Sequence, residues 1–322
     1  MPLRIKHDLL NYVNEASVLL SKLYRSDGYS DYYPKPSPEE IESWMSNDPE
    51  YDPLETAILE TDTGMVIGYA LSWAMNEYKP GYARIILDPE LPEPLYHEAL
   101  LALIRWIGGT LAYYDRAIGP VSLYINREYS RLHLSILDIF GGSAVFSYAG
   151  SLMEFRGSLD IPIPPGLREE VIHALPDISV IEEFRRVVND AFSIYPGHTE
   201  WSFERAWNYY NLMFNKYRGE FFVITLWAGN EVAGFAEITH YETASGRRIG
   251  YVSLLATRRE YQGRGIGSYL LARASRLLKR IGIDVLALDS MPKAQSLYEK
   301  LGFVPVIRSL KAMTPLEALL AV

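Results

Sequence analysis

Short apolar segments alternate with longer mixed segments along the chain, and the same order of segments occurs twice. In the second half, the pattern predicts a strand at 252–256, a helix at 268–281, a strand at 285–288 and a helix at 293–301. In the first half, it predicts a strand at 83–87, a helix at 98–107, a strand at 121–125 and a helix at 131–140. The first helix of each series ends near a glycine, Gly108 or Gly282, as helices often do.

A hairpin precedes each series. In the first half, residues 57–60 lead through Asp62-Thr63-Gly64 into the apolar residues 65–70. In the second half, residues 222–225 lead through Gly229-Asn230 into residues 231–236. Equivalent landmarks are about 165 residues apart, which indicates a duplicated domain. The alternative is one α/β domain whose halves are alike by accident.

The predicted boundary between the domains lies in residues 158–166, where Pro162, Pro164, Pro165 and Gly166 cluster. Proline removes a backbone donor and restricts the residue before it, so this stretch favours a stiff connection. We therefore expect domains at residues 1–157 and 158–322. Residues 159–163 are a candidate for the first strand of the second domain.

A glycine-rich loop connects the predicted strand at 252–256 to the following helix, and its sequence is Gln262-Gly263-Arg264-Gly265-Ile266-Gly267-Ser268. The first N–H groups of a helix have no intrahelical partner and lie at the positive end of its dipole. Glycines at that point let an anion, above all a phosphate, approach these N–H groups. A tight strand-to-helix turn without a ligand is the other interpretation.

The counterpart of this loop in the first half is Pro89-Glu90-Leu91-Pro92-Glu93-Pro94-Leu95. Its three prolines lack the donors that would bind a phosphate, and its two glutamates would repel one. We therefore expect only the second domain to bind an anionic ligand in this way.

Composition excludes several classes of function. The net charge of -9 over 322 residues argues against non-specific nucleic-acid binding. The absence of cysteine excludes disulfides, cysteine zinc sites and a cysteine nucleophile, and the six histidines are scattered, so we expect no metal. No segment has the length of a membrane helix or the apolar core of a signal peptide. We expect a soluble, cytoplasmic protein without membrane or nucleic-acid partners; the sequence leaves the oligomeric state open.

A second motif, Ala294-Gln295-Ser296-Leu297-Tyr298-Glu299-Lys300-Leu301-Gly302-Phe303, ends the last predicted helix. With the glycine loop, it closely resembles the GNAT (Gcn5-related N-acetyltransferase) family, whose members carry Q/R-x-x-G-x-G/A and A-x-x-L-Y-x-x-x-G-F segments. The resemblance covers residues 159–313, and the first half is similar only in outline. It implies an α+β fold of two tandem GNAT-like domains, each a mixed, mostly antiparallel sheet flanked by helices, with a degenerate first domain.

The resemblance also implies a binding site for acetyl-CoA, the acetyl donor of the family. The family's loop binds the pyrophosphate through backbone N–H groups, and the strand before the loop holds the pantetheine arm, which lies between two strands that splay apart. The implied cofactor-binding residues are Leu255, Ala256, Thr257, Gln262, Gly263, Arg264, Gly265, Ile266, Gly267 and Ser268. Arg264 either adds charge or is an ordinary surface arginine.

The implied reaction is acetyl transfer to the primary amine of a small molecule. Tyr298 matches the family's general acid. Some members have a glutamate near the start of the strand before the loop, where this chain has Tyr251 and Ser253. Glu237, with His240 as the other nearby candidate, is therefore predicted as the general base; a water chain is the alternative.

Met291 bears on the contacts to the cofactor, and two predicted helices bear on the acceptor. Met291 replaces an asparagine that contacts the cofactor arm in many members. The acceptor pocket of the family is often formed by two helices, here predicted at 179–192 and 201–216 and joined by residues 193–198. Acetylation of a protein N-terminus or lysine, and a non-catalytic CoA-binding protein, remain alternative functions.

Overall fold

The computed structural model describes residues 2–46, 52–73, 81–113, 120–128, 130–195 and 199–322. The chain forms two compact units. The first comprises Met1–Ser151 together with Ile307–Val322, and the second comprises Leu152–Val306. The second unit is thus a continuous segment inserted into the sequence of the first.

Strands and helices up to the start of the second unit are the following: β1 (Leu3–Lys6), α1 (Val13–Asp27), α2 (Pro38–Ser46), β2 (Thr56–Thr61), β3 (Val66–Trp73), β4 (Tyr82–Leu87), α3 (Glu93–Tyr113), β5 (Val121–Ile125), α4 (Arg131–Phe140) and β6 (Val145–Arg156). The remainder of the chain adds β7 (Arg168–Ile172), α5 (Ile178–Phe192), α6 (Phe203–Lys216), β8 (Phe221–Ala228), β9 (Glu231–Glu242), β10 (Arg248–Thr257), α7 (Ile266–Arg280), β11 (Val285–Ser290), α8 (Gln295–Lys300), β12 (Val304–Thr314) and α9 (Leu316–Ala321).

Both units contain a mixed sheet in which antiparallel pairs prevail. In the first unit the strand order is β1-β2-β3-β4-β5-β12, and only the pair β4–β5 is parallel. In the second unit the order is β11-β10-β9-β8-β7, and only the pair β10–β11 is parallel. The expected fold class, a mixed and mostly antiparallel sheet flanked by helices, is confirmed.

The core of the second unit follows from the alternation of side chains along its strands. Phe235 of β9 faces α5, where its ring lies 4.7 Å from the ring of Phe184. The next residue, Ala236, faces the opposite side and packs with Leu270 and Leu271 of α7. Helices therefore cover both faces of this sheet, and the two faces form separate apolar clusters.

The predicted elements agree with the structure most closely where local signals are strong. The strand Val121–Ile125 and the helix Arg131–Phe140 have the predicted bounds. The strand considered at 159–163 is wrong: these residues form neither strand nor helix, and the next strand is β7. Pro162, Pro164 and Pro165 explain the difference, because proline cannot donate to a strand ladder.

The compact units differ from the expected division at residue 157. The second unit begins within β6, at Leu152, and residues 307–322 belong to the first unit. The difference arises in β12, whose residues Leu310–Thr314 pair with β5 of the first unit. That the halves are two related domains stays a prediction.

Candidate active site

A cavity of about 660 Å³ opens where β10 and β11 separate. Their parallel ladder pairs Gly250 with Leu286 and ends with Val252 opposite Leu288. Beyond this point, β10 and β11 no longer pair with each other, and residues of both strands line the cavity. The resemblance to the GNAT family implied two strands that splay apart, and the pairing of β10 with β11 ends at Val252 and Leu288.

A β-bulge at Ser253 accompanies the end of the ladder. In the antiparallel pairing of β9 with β10, Val252 lies opposite Ile238 and Leu254 lies opposite Glu237. Ser253 is therefore an extra residue, and such a residue bends the strand that contains it. Ser253 lines the cavity.

The glycine loop forms one wall of the cavity. Gly263 and Gly265 have φ of 75° and 79°, a region that residues with a Cβ seldom adopt. Gly265 is the N-cap of α7, and its carbonyl accepts the N–H of Tyr269. Among the described residues, the backbone N–H groups of 263–268 have no hydrogen-bond partner. The loop thus presents unpaired donors at a helix N-terminus, which suits a phosphate.

Most of the predicted cofactor-binding residues line this cavity: Leu255, Thr257, Gln262, Gly263, Gly265, Ile266, Gly267 and Ser268. The side chains of two others lie elsewhere. Ala256 is buried in the cluster beneath α5 and α6. The guanidinium of Arg264 lies 5.1 Å from the centre of the Tyr261 ring.

Tyr298 projects from α8 into the lining of the cavity. Its ring packs against Phe303, with 5.9 Å between ring centres, and only 9% of the residue is exposed. Burial, together with the nearby Tyr195, raises the pKa of the Tyr298 hydroxyl. That hydroxyl has no hydrogen-bond partner in the described part of the chain. It is therefore a protonated, unpaired donor at neutral pH.

Glu237 lies behind the cavity and has no exposed surface. Its Oε2 accepts a hydrogen bond from Tyr209 and its Oε1 accepts one from Tyr210, each at a distance of 2.7 Å. Burial raises the pKa of Glu237 to about 7, although the hydrogen bonds from both tyrosines and Ser253 act to lower it. The carboxyl group thus titrates near neutrality, as a general base does.

Ser253 connects Glu237 to the cavity. Its Oγ lies 3.5 Å from Oε2 of Glu237, at the outer limit of hydrogen bonding, while the same residue lines the cavity. His240, the other candidate base, does not line the cavity; its Nε2 lies 3.1 Å from the carbonyl oxygen of Gly219.

Sequence reasoning missed the two tyrosines that contact Glu237. Tyr209 and Tyr210 give no local signal, because adjacent aromatic residues on a helix are ordinary core residues until the helix is docked. Tyr251 donates a hydrogen bond to Oδ2 of Asp289 over 2.6 Å, across the two strands just before they separate. Asp289 and Met291 both line the cavity.

Aromatic residues after α5 form a further part of the lining. Phe192 and Tyr195 both line the cavity. The loop at residues 193–198, which connects the two helices predicted to form the acceptor pocket, begins directly after Phe192. The last three residues of that loop, Pro196, Gly197 and His198, lie outside the described residues. A second cavity of about 620 Å³ is lined by polar and charged residues of α5, among them Arg185 and Asp190, together with Arg258 and Glu260.

The proline-rich loop of the first unit has a different arrangement. Arg131 Nη1 donates to the carbonyl oxygens of Pro89 and Leu91 over 2.9 and 2.7 Å, and its Nη2 donates to Glu93 over 2.7 Å. The guanidinium also lies 3.8 Å from the centre of the Tyr96 ring. This loop therefore turns carbonyl groups toward a cation, which is the reverse of an anion site.

Residues 181–303 match the profile of the acetyltransferase (GNAT) family. The second unit is a GNAT domain. The protein is accordingly an acyltransferase that uses an acyl-CoA donor. No curated protein has a matching sequence.

Solved GNAT structures resemble the chain over nearly its whole length. A GCN5-related N-acetyltransferase from Sphaerobacter thermophilus is 18% identical, with 98% of this chain and 96% of that chain covered and a TM-score of 0.64. A tandem GNAT protein from the clavulanic acid biosynthesis pathway is 13% identical, with 98% and 99% covered and a TM-score of 0.64. A fungal GCN5-related glucosamine N-acetyltransferase region is 12% identical, with 97% of this chain and 38% of that chain covered and a TM-score of 0.61.

The described ranges contain neither a candidate metal site nor a membrane-spanning helix. No group of three or more His, Asp or Glu residues there is arranged to hold a metal ion. No helix within the same ranges combines the length and hydropathy needed to cross a membrane.

Proposed function

We propose that the GNAT domain transfers an acetyl group from acetyl-CoA to the primary amine of a small molecule. The observation that supports this most directly is Glu237, a fully buried carboxylate with a pKa of about 7. One serine side chain separates it from a cavity that the glycine loop and Tyr298 also line. In this proposal, an anion cradle and an acid line one cavity, and a base lies behind it, one serine side chain away.

The residues of the cavity fit acetyl-CoA. The unpaired N–H groups of residues 263–268 would bind its pyrophosphate, and the unpaired edge of β10 beyond Val252 would hold the pantetheine arm. When bound, acetyl-CoA supplies the thioester whose C–S bond breaks as the new C–N bond forms. In this proposal, Leu255, Thr257, Gln262 and Ser268 complete the wall around it.

The side chains then have two proton-transfer roles. An alkylamine with a pKa near ~10.4 is mostly charged at neutral pH and must lose a proton before it attacks. Glu237 takes this proton by way of Ser253 or a water molecule beside it. Tyr298 gives its hydroxyl proton to the leaving thiolate, because its raised pKa keeps the hydroxyl protonated.

Two observations favour a small acceptor. Phe192 and Tyr195 line the cavity on the side of α5, which provides aromatic walls for a compact molecule. One structural neighbour is described as a glucosamine N-acetyltransferase region. Glucosamine and other amino sugars therefore belong first in the set of acceptors to be tested.

The experiment has two steps. Calorimetry with acetyl-CoA comes first, and absence of binding would overturn the proposal. Release of free CoA thiol is then measured with amino sugars, polyamines, and peptides that have a free N-terminus or a lysine. Turnover with small amines supports the proposal; turnover with peptides alone assigns a protein substrate; binding without any turnover indicates a CoA-binding protein.

A further inference from the structure

Arg84, in β4 of the first unit, is a charged residue that has no charged partner among the residues the structure describes. Its Nε is buried and forms no hydrogen bond within the described ranges. In the described part of the chain, the groups that interact electrostatically with its guanidinium are all tyrosines, and no carboxylate is among them. An unpaired buried cation is costly, since burial removes the water that would solvate it.

Tyrosines surround Arg84 on its own face of the sheet. Tyr82 lies two positions earlier in β4, and therefore on the same face. Tyr124 is the partner of Arg84 in the β4–β5 register, and the rings of Tyr82 and Tyr124 are 6.1 Å apart. Tyr69 of β3 is buried on this face with Ile86 of β4.

Helix α1 supplies a further aromatic wall. The ring of Tyr24 lies 5.7 Å from the rings of both Tyr29 and Tyr33, which follow the helix. Tyr24 is also close enough to interact electrostatically with Arg84. Although the Nε of Arg84 is buried, Arg84, Tyr82 and Tyr124 each keep part of their surface exposed, so a small molecule can approach the group from that side.

The register of each sheet gives this position a counterpart in the GNAT domain. In the second unit, Gly234 pairs with Thr257, and Glu237, three residues later, pairs with Leu254. In the first unit, Gly68 pairs with Leu87, and Leu71, three residues later, pairs with Arg84. Leu71 thus corresponds to Glu237, and Arg84 corresponds to Leu254, the cross-strand partner of Glu237. The same cross-strand pair therefore carries a carboxylate on one strand in the second unit and a guanidinium on the other strand in the first unit.

Charge and shape define the group that fits. A guanidinium offers parallel N–H donors that match the two oxygens of a carboxylate. One positive charge balances one negative charge, whereas phosphate sites generally combine several donors and charges. The tyrosine rings would pack against an apolar or aromatic body.

We propose that Arg84, with Tyr69, Tyr82 and Tyr124, forms a binding site for a small molecule that bears a single carboxylate. We name it the Arg84 site. It lies in the first unit and does not depend on acetyl transfer by the second, so failure of either proposal leaves the other in place.

The test follows the arginine Nε–H signals of the full chain by ¹H–¹⁵N NMR during titration with sodium benzoate. The signal missing from Arg84→Met identifies Arg84. Benzoate is expected to shift this signal to saturation, while benzyl alcohol, which lacks the charge, leaves it unchanged. No saturable shift with benzoate would overturn the proposal, and so would tighter binding of inorganic phosphate.

Variants separate binding from folding. Arg84→Lys keeps the charge but loses the paired donors, and is expected to weaken benzoate binding about tenfold, the effect of losing a hydrogen bond to a charged group. Arg25→Met, an exposed change one residue after Tyr24, is the matched control and should bind benzoate like the wild type. If Arg84 were only a structural residue, Arg84→Met would lower the melting temperature; the proposal expects an equal or higher one, since the change removes an unpaired buried charge.

Discussion

Tyr210 donates a hydrogen bond to Oε1 of Glu237 over 2.7 Å, and neither side chain has any exposed surface. Tyr209 binds the other carboxylate oxygen over the same distance. These donors favour the charged carboxylate, but burial outweighs them and raises the pKa to about 7. The two tyrosines therefore hold a carboxyl group that changes its charge within the physiological range.

The rate of acetyl transfer should depend on this titration. If Glu237 is the base, kcat/KM rises with pH through about 7 and levels off above it, because only the deprotonated form accepts a proton. Tyr210→Phe removes a donor to the carboxylate, so it should move the rising limb to higher pH. A profile that is flat through this range would exclude Glu237 as the base. Glu237→Gln is expected to lower kcat by about 10²-fold or more.

Stability should show the opposite trend with pH. The folded pKa of about 7 exceeds the ordinary glutamate value of 4.5, so the folded protein binds more protons than the unfolded chain between these pH values. The free energy of unfolding therefore falls as pH rises from 4.5 to about 7, by about 3 kcal/mol at most. Urea unfolding at several pH values measures this, and Glu237→Gln should remove that part of the slope. An unchanged slope in the variant would contradict the raised pKa.

Tyr298→Phe tests the proton donor. The change removes one hydroxyl but keeps the ring that packs against Phe303. We expect kcat to fall by about 10²-fold, the lower end of general acid catalysis, while the Kd for acetyl-CoA changes little. Tyr217→Phe, on a tyrosine that does not line the cavity, is the matched control. Equal turnover in both variants would remove Tyr298 from the mechanism.

Gly265→Ala tests the anion cradle. Gly265 and Gly246 have nearly equal φ, 79° and 82°, and a Cβ at either would meet no atom within 4 Å. Alanine at either position should therefore cost a similar ~1–2 kcal/mol of stability. Only Gly265→Ala alters the loop, so it alone should weaken acetyl-CoA binding, by about tenfold, as calorimetry can measure. A similar loss of affinity in Gly246→Ala would indicate a general effect of destabilisation.

Acetyl-CoA should bind at one site per chain. In the first unit, Arg131 holds the carbonyl oxygens of Pro89 and Leu91, so its loop offers acceptors where the cofactor needs donors. Calorimetry should give a stoichiometry of one, and Gly265→Ala should weaken that single site. A second saturable site that persists in Gly265→Ala would contradict this assignment. Arg131→Met should destabilise the first unit by about 1–2 kcal/mol without creating a site.

Local sequence signals predicted those parts of the fold and of the candidate site that depend on neighbouring residues in the sequence. The bounds of α4 follow from Ser130, whose hydroxyl accepts the N–H of His133, and from Gly141 at its end. The glycine loop and Tyr298 lie in short motifs whose function depends mainly on neighbouring residues. Both were found in the sequence, and both line one cavity.

Features that depend on how helices and strands pack against one another could not be predicted from local sequence signals. Tyr210 contacts Glu237 only because α6 packs against β9, and the residue types alone do not specify that orientation. The bulge at Ser253 is a matter of register between strands, which an apolar pattern does not fix. The pairing of β12 with β5 joins residues that are far apart in sequence, such as Leu310 and Ile125.

The insertion of Leu152–Val306 within the first unit has a consequence for synthesis on the ribosome. Chains emerge from the N-terminus, and domains tend to fold as soon as they are complete. The GNAT domain is complete when Val306 emerges, while β5 still lacks its neighbour β12. The unit that begins first is thus the last to finish, and until then β5 is an exposed edge strand that can pair with other chains.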